Sequence, residues 1–99
     1  MGFNQTYSAI NRAWEANFKS QVPEREATYV SDKMRRLQTA FQDKQYQEAI
    51  TTTKILFGYF SLIAHKEEST PLKKSASKIK EHLWSLERIL EKNCKRVSV

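Results

Sequence analysis

His65, His82 and Cys94 are the side chains of this 99-residue chain best suited to nucleophilic or metal chemistry. A zinc or other transition-metal centre needs three or four ligands gathered in one place. Neither histidine has another His or a Cys three or four residues away. A nucleophile–base pair would set Cys94 beside His82, but twelve residues of one predicted helix separate them by about 18 Å. No Gly-rich phosphate loop and no Gly-x-Ser-x-Gly elbow is present. Glu67 and Glu68 fall in a polar connector, which reads as a solvated turn rather than a catalytic carboxylate pair. The expectation is a protein that binds rather than catalyses, with no cofactor and no metal.

The charges speak to the partner. The formal net charge is +6, and residues 66–96 hold nine basic against five acidic side chains. Such an excess suits an acidic partner, whether protein, nucleic acid or anionic lipid. Lys73, Lys74, Lys78 and Lys80, with Lys66 upstream, are a candidate phosphate-binding set. They also flank the apolar positions Leu72, Ala76 and Ile79 on both sides, as on any solvent-exposed helix. A nucleic-acid partner is therefore the weaker reading, and Trp14 and Trp84 are taken as core or boundary anchors rather than base-stacking platforms.

The elements that must position these groups are helices. The chain holds only 2 Gly and 2 Pro, far fewer than a sandwich or barrel needs with a turn every ~8–12 residues. Its 39% hydrophobic and 28% charged residues place it in the globular range, and its length allows one core. Four segments show helical periodicity in their apolar residues. Phe3, Tyr7, Ile10, Trp14 and Phe18 form the first; Ala27, Val30, Met34, Leu37 and Phe41 the second. The third includes Tyr46, Ala49, Ile50, Leu56, Phe57, Phe60, Ile63 and Ala64. The fourth is a heptad-like seam of Leu72, Ala76, Ile79, Leu83, Leu86 and Leu90, which would also suit a homodimer. These stripes predict helices over about 4–20, 23–43, 46–66 and 71–95. Pro23 belongs in the first turn of the second helix, with Glu24 and Glu26 at its positive end, and Thr70 caps Pro71 at the start of the fourth. Short junctions make successive helices antiparallel. The fold expected is an all-α antiparallel bundle of three or four helices in a single domain, 1–99. In the three-helix version, residues 1–20 are an appendage to a core of 23–95.

No stretch reaches the ~18 apolar residues of a membrane span; the run Ile55 to Ile63 is interrupted by Gly58 and Ser61. No signal peptide is visible, and a lone cysteine forms no internal disulfide, so the chain reads as an intracellular, cytoplasmic protein.

The third predicted helix differs from the others. Ile55, Tyr59 and Leu62 lie off its main stripe, and a helix apolar on more than one face is either central or presents a surface to a partner. On the fourth helix Lys78, His82, Ser85 and Ile89 share one face displaced from the seam. A groove between these two helices would take an amphipathic ligand helix on Ile55, Tyr59 and Leu62, with Lys66 and Lys78 as basic rims favouring acidic flanks.

Tyr46-Gln47-Glu48-Ala49-Ile50, then Tyr59 and Leu62, then Ser77-Lys78-Ile79-Lys80-Glu81-His82-Leu83 through Glu87 resemble the helical signatures of a microtubule-interacting and trafficking (MIT) domain, over about residues 30–92. His82 stands where that family has Tyr, Leu86 where it has a small Ala, and the N-terminal helix is additional. The resemblance implies an antiparallel three-helix bundle that captures short helical or extended motifs of trafficking proteins between its last two helices.

The expected function is thus a protein–protein interaction or adaptor module, its partner another protein or a second copy of the chain. A small nucleic-acid-associated protein and a microbial or viral inhibitor, immunity or chaperone-like bundle are the alternatives. A competing arrangement has the first helix covering the groove, which would give a closed four-helix bundle.

Overall fold

The computed structural model describes residues 2–66 and 70–97; for Lys66, Thr70, Arg96 and Val97 it describes the backbone alone. Four helices follow in order: α1 Phe3–Asn17, α2 Glu24–Gln42, α3 Tyr46–Lys66 and α4 Thr70–Val97. The connector positions 67–69 and the side chains of Lys66 and Thr70, on which a basic rim and a helix cap were expected, lie outside the described residues.

All four stripes point inward. Ile10, Trp14, Val30, Leu37, Leu56, Phe60, Ile79, Leu83, Leu86 and Leu90 are buried, in one continuous core. Phe60 of α3 lies at its aromatic centre, with edge-to-face contacts to Trp14 at 6.0 Å and Phe18 at 5.6 Å between ring centroids. Such pairs add about 0.5–1.5 kcal/mol each beyond the area they bury. Trp14 carries a local penalty: its indole N–H is buried without a hydrogen-bond partner among the described residues. The buried hydroxyls of Thr6, Thr52 and Thr53 escape that penalty by donating to the carbonyls of Gly2, Glu48 and Ala49 one turn back.

The neighbours run antiparallel. Phe41 meets Tyr46 and Tyr59 meets Glu26 across α2 and α3; Phe57 meets Lys80 and Lys54 meets Glu87 across α3 and α4. α1 packs along α4. It also reaches α2, where the Tyr7 hydroxyl donates to the Met34 carbonyl at 3.0 Å and the Phe3 and Phe41 rings stack 3.8 Å apart. The N-terminal helix is therefore the fourth wall of the bundle, not an appendage. The seam of α4 is correspondingly filled from within: Ala76, Ile79, Leu83, Leu86 and Leu90 are all fully enclosed by their own chain, and Leu72 is half-buried.

Two ends differ from the periodicity. α1 stops at Asn17, not near 20, because Phe18 leaves helical geometry (φ −121°, ψ −40°) and the amides of Phe18 and Lys19 both donate to the Trp14 carbonyl. Its side chain is thereby carried into the core while the chain turns back through residues 18–22. Pro23 precedes α2 as its extended N-cap rather than joining the first turn. α2 ends in a Schellman arrangement: Lys44 adopts φ 59°, its amide donates to Phe41 and that of Gln45 to Ala40.

Candidate functional site

A helix in a four-helix bundle has one inward stripe and two flanks, one toward each neighbour. The flank of α3 that carries Ile55, Tyr59 and Leu62 faces α2. Its clearest marker is the Tyr59 hydroxyl, which donates to Glu26 Oε1 of α2 at 3.3 Å, while the ring packs edge-on against Phe60. Burial, then the negative charge of Glu26, then this hydrogen bond raise the Tyr59 phenol from 10.0 to about 12, so the hydroxyl stays a donor throughout the neutral range. Ile55 and Leu62 are 38% and 56% exposed. The opposite flank of α3, with Lys54 and Phe57, is the one that meets α4.

The four residues expected on α4 lie on the far side of that helix. His82, Ser85 and Ile89 line a depression together with Thr6 of α1, and the helical repeat puts exposed Lys78 on the same flank. α1 occupies this side. The groove expected between the third and fourth helices is thus not assembled from these eight residues: Ile55, Tyr59 and Leu62 stand on the flank toward α2, His82 and Ile89 on that toward α1, Ser85 borders depressions on both sides of α4, Lys78 is exposed, and Lys66 ends α3 with its side chain outside the described ones.

What the structure does bring together is a surface on α2 and α3. With Glu26 level with Tyr59 and Phe41 level with Tyr46, the antiparallel register sets Tyr29 level with Leu56 and Phe57, next to Ile55. Tyr29 is 45% exposed and carries Lys33 Nζ 5.4 Å from its ring centroid. Tyr59 and Leu62 continue this patch into a cavity of about 300 Å³, also lined by Phe18, Val22, Ile63 and Leu72, with Gln21, Pro23 and Glu26. The cavity forms where the turn after α1 passes the C-terminal half of α3 and the first turn of α4. Sequence periodicity missed Tyr29 and Val22. Tyr29 carried a legible signal, an aromatic residue outside its helix's stripe; Val22, in a turn, carried none.

A second surface lies on the outer side of α3 and α4. Phe57 and Trp84 line one open depression, and each ring has a cation on it: Lys80 at 5.4 Å from Phe57 and Arg88 at 4.7 Å from Trp84. Trp84, expected as a core or boundary anchor, is 53% exposed.

His65 is exposed at the end of α3, and His82 is half-buried on α4. Among the described residues no three His, Cys, Asp or Glu side chains gather as a metal site, and no helix is long and apolar enough to cross a membrane. No protein-family model, curated protein or solved structure matches this chain.

Proposed function

We propose that the chain is a protein-interaction module whose contact surface is the α2–α3 face, where Tyr29, Ile55, Tyr59 and Leu62 receive a helical or extended peptide motif of another protein. The observation that carries this reading is the grouping of exposed apolar side chains. Of Tyr29, Ile55, Leu62 and Trp84, the large apolar residues left open to solvent among the described ones, three stand on this one face. They adjoin a cavity lined mainly by apolar groups. Isolated exposed apolar residues need no explanation, whereas a contiguous patch beside a pocket does. Aromatic anchors in a partly enclosed seat supply most of the energy of protein interfaces. Tyr59 is suited to such a role because its ring is braced by Phe60 and its hydroxyl by Glu26, so little side-chain freedom is lost on binding.

The test is affinity capture from the native source with the intact chain, compared with Tyr29→Ala and Leu62→Asp variants of unchanged helicity. A partner retained by the wild type and by an Arg12→Gln control at an exposed position of α1, and lost with both face variants, is expected. Retention by both variants would place the contact elsewhere. Light scattering on the purified chain tests the second-copy alternative: a dimer that Leu62→Asp dissolves would mean that the face pairs with itself.

A further inference from the structure

We propose that the outer face of α4 binds single-stranded nucleic acid, with bases stacked in the depression between Trp84 and Phe57 and the backbone held by the surrounding lysines and Arg88. This proposal stands independently of the α2–α3 face, with which it shares no residue.

Charge is the first argument. The 28 residues of α4 hold eight Lys and Arg against three Glu, a balance of +5 in a chain whose total is +6. Almost the whole net charge is thus displayed along one rod, roughly 42 Å long at 1.5 Å per residue. The solvent side of that rod presents Lys74, Arg88, Lys92 and Lys95. A linear polyanion matches such a row, because each phosphate neutralised releases a condensed counterion.

The aromatic groups are the second. A surface tryptophan with half its area open is unusual on a face otherwise made of lysines, serines and glutamates. Arg88 lies 4.7 Å from its ring centroid, and Phe57 with Lys80 repeats the pairing across the same depression, which has a volume of about 560 Å³. Each cation lies over its ring in the free protein; a base that stacks on the half-exposed Trp84 ring displaces Arg88 toward the adjoining phosphate, so that the site offers what single strands use, a π-face and a positive charge. A duplex hides its base faces and would use the cations alone. An anionic membrane would require several large apolar residues on the solvent side of α4, and Trp84 is the only one there among the described residues. Glu81 lines the same depression and opposes a phosphate, so its removal should tighten binding.

The two tryptophans make the experiment direct, since Trp14 is buried and Trp84 open. A labelled oligothymidylate of about 15 nucleotides, within the range one compact module covers, is titrated into the intact chain by anisotropy and by indole fluorescence. Binding with quenching of Trp84 is expected. With about four phosphates contacted, affinity should fall roughly 50-fold between about 50 and 200 mM salt. Trp84→Ala should weaken it at least about tenfold with an unchanged melting temperature, Arg88→Ala should weaken it too, and Glu81→Gln should tighten it. The proposal is overturned by the absence of binding at the lower salt or by Trp84→Ala binding as well as wild type. Equal competition from polyglutamate would overturn it by showing affinity for any polyanion. So would phosphatidylserine vesicles that shift Trp84 emission to the blue while the oligonucleotide leaves it unchanged.

Discussion

Phe60 and Leu62 are two residues apart on α3 and of similar hydrophobicity, yet the bundle gives them opposite roles. Phe60 is fully buried against Trp14 and Phe18. Leu62 is 56% exposed. Truncating a buried phenylalanine removes its transfer energy and leaves a cavity, for a loss of about 3–5 kcal/mol. Fully burying a leucine is worth about 1.5–3 kcal/mol, and Leu62 realises less than half of that, so Leu62→Ala should cost about 1 kcal/mol or less. In a domain of this size each kcal/mol moves the melting temperature by about 4–8 °C. Thermal melts followed by far-UV circular dichroism should show Leu62→Ala within about 8 °C of wild type. Phe60→Ala should lie at least about 12 °C below it or fail to fold, since total stability is typically about 5–15 kcal/mol. Equal losses in the two variants would mean that Leu62 is a core residue, and the α2–α3 face would then have no apolar anchor to offer. A tolerated Phe60→Ala would refute the placement of the core itself.

Three further outcomes follow from the same geometry. Gly58 sits in the interior of α3 where an added Cβ meets nothing within 4 Å, so Gly58→Ala should raise stability by about 1 kcal/mol in chemical denaturation. Lys44 pays the steric penalty of a left-handed residue at φ 59°, so Lys44→Gly should raise it by up to about 1 kcal/mol, whereas Lys44→Val should lower it. The Tyr59 phenol is raised from 10.0 to about 12 in the fold. Its contribution is complete below the unfolded value and disappears as pH climbs through the folded one, because the unfolded chain ionises first. Melting temperature should therefore drop across that alkaline interval, less steeply in Tyr59→Phe; an unchanged slope in the variant would refute the upward shift of the phenol, which burial causes first and Glu26 second.

The helices were legible because helical repeat and hydrophobicity act locally. Steps of three and four put Ile10 and Trp14, Met34 and Leu37, Phe60 and Ile63, Leu83 and Leu86 on single faces, and burial follows for all but Ile63, which is half-buried. The end of α1 was less legible: whether the chain leaves the helix at Phe18 or two residues later depends on whether that ring is needed against Phe60. Phe57 reads as core by position but lies half-buried at the rim, where Lys80 covers its ring.

The candidate site shows where local reading ends. Residue spacing alone determined that the chain is helical, which stripe of each helix turns inward, and that Ile55, Tyr59 and Leu62 stand off the stripe of α3. It left undetermined which neighbour each flank would meet. Four amphipathic rods can close around the same stripes in two senses of rotation, and both bury the same residues while exchanging every left flank for a right one. Only the packed tertiary structure decides between them. It turns the flank of the α3 trio toward α2, where Tyr59 meets Glu26, sets His82 and Ile89 beside α1, and leaves Trp84 facing outward with Arg88 over its ring.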